Sequence, residues 1–527
     1  MKATPKWLHI LVSLVLVLGI FFRVINIDQK IYWSDESFTS LRVSGYTEKE
    51  MLQQDFQGNV INVKSFQEKY QNINNEKNVV DTITGLGQEE AQLPPLYFLM
   101  ARIWTQFFGA SVAAIRSLSV VFSLLAIAAI YCLCLELFKT HLSGLISVLI
   151  MSISPFHILF AQEARPYSLW TLTIILSSLC LLRAMRIQDK KSWLLYTLTT
   201  ALSLYSFLFS VFVIAGQALY VITIEKFRIS KIVTNYLRST ILAGLFFIPW
   251  ILVIINNIHR SYRGVAWLTN TPKIALAQRW IINLGRTFVD FGLSINNNLV
   301  TFYSLLISIL VIYSIYFLIK NTPKKTWLFV VITTSFMLIT LGIPDVILGG
   351  QRSATCRYMI PLYIGSQISI SYLFSKQLLS ISVKFWQNKL WQILLATLSC
   401  LSIYSCIIIS QSDNWWNKEF EEIYKPSIIS LSPQQQAIND INKLDNPLLI
   451  SDADTGKIMS LSHQLDSNVN LLLVVQPDKP FNIPTKFKDI FVYSPSKSLQ
   501  NWLSNKDGYT LKNFKDYENS GIWILIR

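Results

Sequence analysis

The sequence predicts an all-α polytopic membrane protein with a small extracytoplasmic α/β domain at its C-terminal end. Three observations lead to that class. Of the 527 residues, 52% are hydrophobic and only 15% charged, where ordinary soluble chains are about a quarter charged. The apolar residues come in runs of roughly 18 or more, which as helix cross a hydrocarbon core of about 30 Å. Beyond about residue 412 the pattern changes to short strand-like runs separated by polar segments.

The formal net charge is +15. In a soluble protein such an excess points to nucleic acid. Here the Lys and Arg residues lie in short loops between apolar runs, where the positive-inside rule accounts for them, so no nucleic-acid partner is expected. Cys132, Cys134, Cys180, Cys400 and Cys406 fall within apolar runs and Cys356 at the edge of one. None has zinc-type spacing, and all read as small buried residues.

About eleven spans follow in order, near 7–26, 113–137, 142–160, 166–186, 192–206, 207–224, 239–257, 299–319, 326–344, 355–375 and 389–411. The first, preceded by Lys2 and Lys6, has the form of an uncleaved signal anchor. "LPPLYFLMARIWTQFFG" at 93–109 is marginal in length and carries Arg102 near its centre. Parity decides its case. If it does not cross, the basic loops around Arg183, Lys226 and Lys320 share one face with Lys2 and Lys6, which makes that face cytoplasmic. The segment is therefore expected to be a juxtamembrane or re-entrant helix begun at Pro94-Pro95.

This topology divides the chain into a transmembrane domain, 1–411, and a C-terminal extracytoplasmic domain, 412–527. The first extracytoplasmic loop, 27–112, has a capping box at Thr47 and Glu50 that predicts a short helix. Its middle, 57–92, is rich in Asn, Gln and charge and is expected to be a mobile lid or a partly ordered loop. In the tail, "PLLISDAD" (447–454), "NVNLLLVV" (468–475), "DIFVYSP" (489–495) and "GIWILIR" (521–527) read as strands, with helices at 433–443 and 496–504. Asp452 and Asp454 end one of those strands and read as a solvated strand-end loop.

Ionisable residues gather on the outer face, while the span centres hold almost none. "WSDES" places Asp35 and Glu36 where the first span ends. Adjacent helical residues point about 100° apart, so one acid serves as base while the other caps or orients. Asp35 as a plain helix N-cap, or as a solvated loop acid, is the competing reading. "SPFHILFAQEARPYSLW" at 154–170 puts Glu163 and Arg165 in a turn between spans. They form either a local ion pair or part of a site, since charge at membrane depth is a functional candidate by default. His157 has no partner at ligand spacing and reads as a hydrogen-bonded core histidine. In "GGQRSATCRYMIPLY" at 349–363, Arg352 and Arg357 lie at the mouth of the tenth span, with Tyr358 beside them. A guanidinium there suits a phosphate headgroup through two parallel hydrogen bonds, or else snorkels to the interface. Arg260 and Arg263 add positive charge to the same face, less specifically.

These stretches, with "QLPPLYFLMARIWTQFFGASVAAIRSLSVVFSLLAIAAIYCLCLELF", resemble the bacterial branch of the protein O-mannosyltransferase superfamily, glycosyltransferases of family thirty-nine with the multi-span GT-C architecture. The resemblance covers roughly residues 8–225, weakens later apart from "RYMIP", and does not reach the tail. Many relatives carry His or Lys before the Pro-Pro pair, where this chain has Gln92 and Leu93. The resemblance implies inverting transfer of a monosaccharide from a polyprenyl-phosphate carrier to an acceptor hydroxyl. It implies Asp35 as catalytic base with Glu36 beside it, Glu163 positioning base or acceptor, and Arg357, then Arg352, with Arg165 and Tyr358, at the lipid phosphate. No motif requires a cofactor, although an acidic cluster could take a divalent metal. The expected partners are the lipid-linked donor and the bilayer, with the acceptor open among glycan, lipid and protein. A lipid-linked sugar flippase is the alternative, which tandem repeats and midplane charge would favour.

Overall fold

The structure, a computed structural model, describes residues 6–257, 273–379, 385–413, 415, 433–475, 481–505, 508–515, 517 and 520–526. In chain order the helices and strands are α1 (Lys6–Val24), α2 (Ser34–Ser44), α3 (Glu48–Asp55), β1 (Gln57–Asn62), α4 (Val63–Tyr70), α5 (Val79–Glu89), α6 (Leu96–Phe108), α7 (Val112–Phe138), α8 (His141–Ser152), α9 (Pro155–Ala161) and α10 (Tyr167–Ile187). They continue as α11 (Lys190–Ser206), α12 (Ser210–Ile224), α13 (Lys231–Asn256), α14 (Lys273–Arg286), α15 (Asn298–Asn321), α16 (Lys324–Leu348), α17 (Ile360–Leu379) and α18 (Phe385–Gln411). The last stretch holds α19 (Pro433–Asn442), β2 (Leu448–Ser451), α20 (Thr455–Ser462), β3 (Asn470–Val474), β4 (Ile490–Tyr493), α21 (Lys497–Ser504), β5 (Thr510–Asn513) and β6 (Ile522–Ile526). The chain forms two compact units, one from residues 1–27, 90–97 and 116–412, the other from 28–89, 98–115 and 413–527.

The first unit is a helical, multi-pass membrane body. Among the described residues, α1, α7, α10, α13, α15, α16 and α18 are seven helices long and apolar enough to cross a bilayer. The expected span 142–160 is instead two helices, α8 and α9, bent by 61° at their junction. The cause is local: Ser152 to Ser154 interrupt the helix and Pro155 restarts it at a position that needs no N–H donor. Arg23 of α1 seals the break. Its guanidinium donates to the carbonyls of Ser152 at 2.6 Å and Met151 at 3.1 Å, and to Gly19 O and Ser123 Oγ at 2.8 and 2.9 Å. A cation at a helix C-terminus is favoured by the macrodipole, and the exposed carbonyls of α8 gain donors inside an apolar body. The predicted spans at 192–206, 207–224 and 355–375 are also helices, α11, α12 and α17, of 17, 15 and 20 residues.

The second unit is a three-layer α/β assembly. Its six strands run β1-β3-β2-β4-β6-β5. The inner strands β3, β2 and β4 pair parallel, while β1, β6 and β5 pair antiparallel. The parallel strands are apolar on both faces because both are covered, as their uninterrupted runs require. Leu449, Leu471, Leu473, Phe491 and Tyr493 face a core with Leu41 of α2, Phe66 of α4 and Met459 of α20. Their neighbours Leu448, Ile450, Leu472 and Val492 face the opposite core with Leu499 and Leu503 of α21. The alternation is the two-residue period of a strand.

The segment 57–92, expected to be a lid or partly ordered, instead supplies an edge strand and two helices. β1 pairs with β3, Val60 opposite Leu472 and Asn62 opposite Asn470, so hydrogen bonds to a distant strand give order that its own sequence does not signal. The expected capping box is present: Glu50 N donates to Thr47 Oγ1 at 3.1 Å and Thr47 N to Glu50 Oε2 at 2.8 Å. At 13 residues, α6 is about 20 Å long and too short to span. Arg102, buried, donates to the carbonyls of Val43 and Lys77 at 2.5 and 2.6 Å. Its charge is thus held by backbone carbonyls, one near the end of α2 and one in the turn before α5.

Candidate active site

In the second unit the acidic pair lies on α2. Trp33 precedes the helix in an extended conformation and makes no side-chain cap, and Asp35 and Glu36 fall in the first turn. The N-cap alternative for Asp35 therefore does not hold, since Asp35 is inside the helix. Carboxylates there are favoured by the macrodipole by roughly 0.3–1 kcal/mol. The 100° step separates their environments: Glu36 is 0% exposed, whereas Asp35 is partly exposed. Gly45 stops the helix in the left-handed region, φ 94°, with Tyr46 N bonding back to Leu41 O at 3.1 Å. Arg42 in the last turn donates to Tyr46 O at 3.2 Å and pairs with Glu89 at 2.8 Å. The C-terminal end of α2 is thereby fixed.

In the first unit the turn after α9 carries Glu163 and Arg165, both buried. Arg165 N bonds Glu163 O at 2.8 Å, and Gln162 Nε2 reaches Phe22 O and Ile25 O at 3.1 and 3.0 Å, which ties the turn to α1. The turn leads straight into α10, whose first residue, Tyr167, meets Arg357. The Arg357 guanidinium carbon lies 5.8 Å from the Tyr167 ring centre and 5.7 Å from that of Tyr358. Tyr358 packs edge-on against Phe209, centroids 4.9 Å apart, and Tyr167 against Phe160 and Phe207. Arg357 sits on a 3-10 turn, Cys356–Met359, that precedes α17. Two separate sequence motifs, "QEARPYSL" and "RYMIP", thus come together. Aromatic faces orient a guanidinium, and a planar fork of donors matches the geometry of a phosphate.

Arg352 is placed differently. Its guanidinium is 3.6 Å from Asp345, a buried acid near the end of α16 that also accepts from Ser353 N and Oγ at 2.6 and 2.7 Å. From α14, Arg279 donates to Gln351 Oε1 at 3.0 Å, Trp280 to Ser353 Oγ at 3.0 Å, and Asn283 to Ala354 O at 2.7 Å. The loop before Arg357 is therefore braced on two sides. Sequence reasoning missed Asp345, whose signal was an acid following Pro344 inside an apolar run. It also left Tyr167 without a role.

Other singled-out residues have structural partners. His157 shares a hydrogen bond with Gln367 at 3.1 Å. Asp452 accepts from Ser496 N at 2.8 Å, and Asp454 caps α20 through Gly456 N at 2.9 Å. Arg260 and Arg263 lie outside the described residues.

The helical body with a small α/β sheet is a GT-C fold. Residues 92–253 match the family model described as dolichyl-phosphate-mannose-protein mannosyltransferase, so over that stretch the chain is protein O-mannosyltransferase-like. Its structure is similar to crystal structures of ArnT from Cupriavidus metallidurans. For ArnT bound to undecaprenyl phosphate the TM-score is 0.57 at 10% identity, covering 99% of this chain and 98% of that one. For the apo state it is 0.55 at 10% identity, covering 98% and 97%. No curated protein matches the chain by sequence.

Proposed function

We propose that this protein is an inverting glycosyltransferase that moves a monosaccharide from a polyprenyl-phosphate carrier to an acceptor hydroxyl on the extracytoplasmic face of the cell membrane. The observation that carries this is the seating of Arg357 on Tyr167 and Tyr358, one residue from the Glu163–Pro166 turn. Further support comes from the family match over 92–253 and from the fold shared with ArnT, whose crystal structure holds undecaprenyl phosphate.

Asp35 is the catalytic base: partly exposed in the first turn of a helix whose far end is fixed, it accepts the acceptor hydroxyl proton. The acceptor oxygen attacks the anomeric carbon from the face opposite the phosphate. The new C–O bond forms as the old one breaks, and the electron pair leaves on the polyprenyl phosphate. Arg357 receives that charge through preorganised donors, with Tyr358 and Arg165 completing the headgroup contacts. Glu36, fully buried, supports α2 beside the base, and Glu163 positions base or acceptor. Arg352 holds the loop through Asp345 and adds positive charge near the phosphate.

The test is transfer from a panel of radiolabelled polyprenyl-phosphate sugars by purified protein in membrane extract, with identification of the labelled product. Labelled acceptor is expected from one donor. Carrier crossing the bilayer with its sugar still attached, and no transfer, would instead identify a flippase.

A further inference from the structure

Within the second unit, α20 lies against α2, the helix that carries Asp35. Gly456 is a point of close approach between them. A β-carbon there would lie 2.9 Å from Phe38 Cε2 and 3.1 Å from Ser34 Cβ, whereas ordinary carbon contacts need about 3.5 Å or more. Gly456 is in the first turn of α20 and is not among the glycines with positive φ. Backbone geometry does not demand glycine, and glycine is a poor helix former. Crowding explains it: Phe38 and Ser34 of α2 stand close, and so does the capping Asp454 Oδ1, 3.1 Å from the same β-carbon position.

Ser34 and Phe38 are four residues apart and so share one face of α2. Asp35 follows Ser34 and lies on the adjoining face. The surface that Gly456 touches therefore sets how α2 is rotated and how far it stands off, and with it the direction of the Asp35 carboxylate. Further ties fix α20 in place. Thr455 Oγ1 donates to Glu48 Oε1 at 2.5 Å. Gln71 Nε2 reaches Met459 O and Ser462 Oγ, each at 3.1 Å, and Gln67 Nε2 reaches Ser462 O at 2.5 Å. At the far end of α20, the His463 ring stands edge-on to Tyr32, centroids 4.5 Å apart, and the Tyr32 hydroxyl meets Ser40 Oγ of α2 at 2.6 Å.

We infer that the C-terminal α/β domain is a positioning device for the catalytic base, with Gly456 as its key positioning residue. This rests on the assignment of Asp35 under the proposed function. It gives the tail a part in the transfer reaction itself, distinct from any role in choosing the acceptor.

The experiment compares purified full-length wild type, Gly456→Ala, Gly456→Ala with Phe38→Leu, Thr455→Val and Asp35→Asn in the transfer assay, with melting temperature measured alongside. Gly456→Ala is expected to lower kcat by roughly ten- to a hundredfold, the scale on which displacements of about 1 Å act. The donor KM stays near wild type because the donor's phosphate contacts are untouched. Phe38→Leu removes Cε2 and is expected to restore most of the lost kcat in the double variant. Thr455→Val loosens the seat without adding bulk and is expected to give the same split, smaller. Wild-type kcat in both Gly456→Ala and Thr455→Val overturns the inference. So does a loss confined to melting temperature or yield, with kcat per folded molecule unchanged. An active Asp35→Asn removes the base assignment on which the inference stands, and identifies that assignment as the point of failure.

Discussion

The Arg357 guanidinium lies 5.8 Å from the centre of the Tyr167 ring, which joins the turn after α9 to the mouth of α17. A cation held over a ring is attracted by the ring quadrupole and takes a fixed orientation there. Tyr167→Leu, which removes the ring, should raise the donor KM on the order of tenfold, whereas Tyr167→Phe should stay near wild type. Arg357→Lys should be worse than Tyr167→Leu because an ammonium lacks the planar fork. Steady-state kinetics with varied donor ranks the three.

The two arginines of the 349–363 segment should behave unlike one another. Arg352 is paired with Asp345, so Arg352→Gln should cost no more than severalfold in kcat/KM. Asp345→Ala strips Ser353 N–H and its hydroxyl of their acceptor and leaves a buried donor unmet, at about 1–3 kcal/mol. It should lower both melting temperature and donor affinity. Equal losses for Arg352→Gln and Arg357→Gln would contradict this division of roles.

Arg23 predicts a stability effect separate from catalysis. It is 0% exposed, and its four hydrogen bonds close the break between α8 and α9. Arg23→Met fills similar volume but leaves the carbonyls at the end of α8 without donors. A loss of about 3 kcal/mol or more is expected, read as a lowered melting temperature in detergent.

Glu48 gives a pH dependence. Burial raises its carboxyl above the ordinary value of 4.5, the charges of Glu89 and Asp454 add to the rise, and the Thr455 hydroxyl and Arg42 oppose it. A folded-state pKa above the unfolded one means the folded state holds the proton more tightly. Its contribution to stability is full below pH 4.5 and is lost as pH rises through the folded value. Glu48→Gln keeps the acceptor for Thr455 and never ionises, so it should be more stable than wild type at pH 8 and indistinguishable at pH 4. Glu50 is a useful contrast. Burial opposes its charge, but Lys77 at 2.6 Å and the Thr47 donors more than offset this and hold its pKa below the ordinary value. Denaturation series across pH separate the two.

Much of this was legible because the signals were local. The runs 447–454, 468–475, 489–495 and 521–527 became β2, β3, β4 and β6, since a sheet covered on both faces demands continuous apolar strands. The division between α11 and α12 near residue 206 and the Thr47–Glu50 box were also readable. β1 was not: "QGNVIN" has little strand character, and its order comes from β3, some 400 residues away. α20 was missed because "TGKIMSLS" starts with a poor helix former, and its cap on Asp454 and its packing on α2 decide its shape. Asp345 fell just past the expected end of its span at 344 and was given no role, whereas α16 runs on to Leu348. Hydropathy averaging merged α8 and α9 across a break that Arg23 stabilises from another helix. Of the site residues, the acids and Arg357 were visible as misplaced charge, whereas Tyr167 and Gly456 gain meaning only from what they touch.

The most direct test of the central claim is donor turnover by Asp35→Asn, assayed beside Glu36→Gln with the cognate polyprenyl-phosphate sugar. Asp35→Asn should lose at least about a hundredfold in kcat, the usual contribution of a general base, while keeping wild-type melting temperature and donor binding. Glu36→Gln, a change in a buried neighbour, should reduce stability more than chemistry. Full turnover by Asp35→Asn would contradict the assignment of the base.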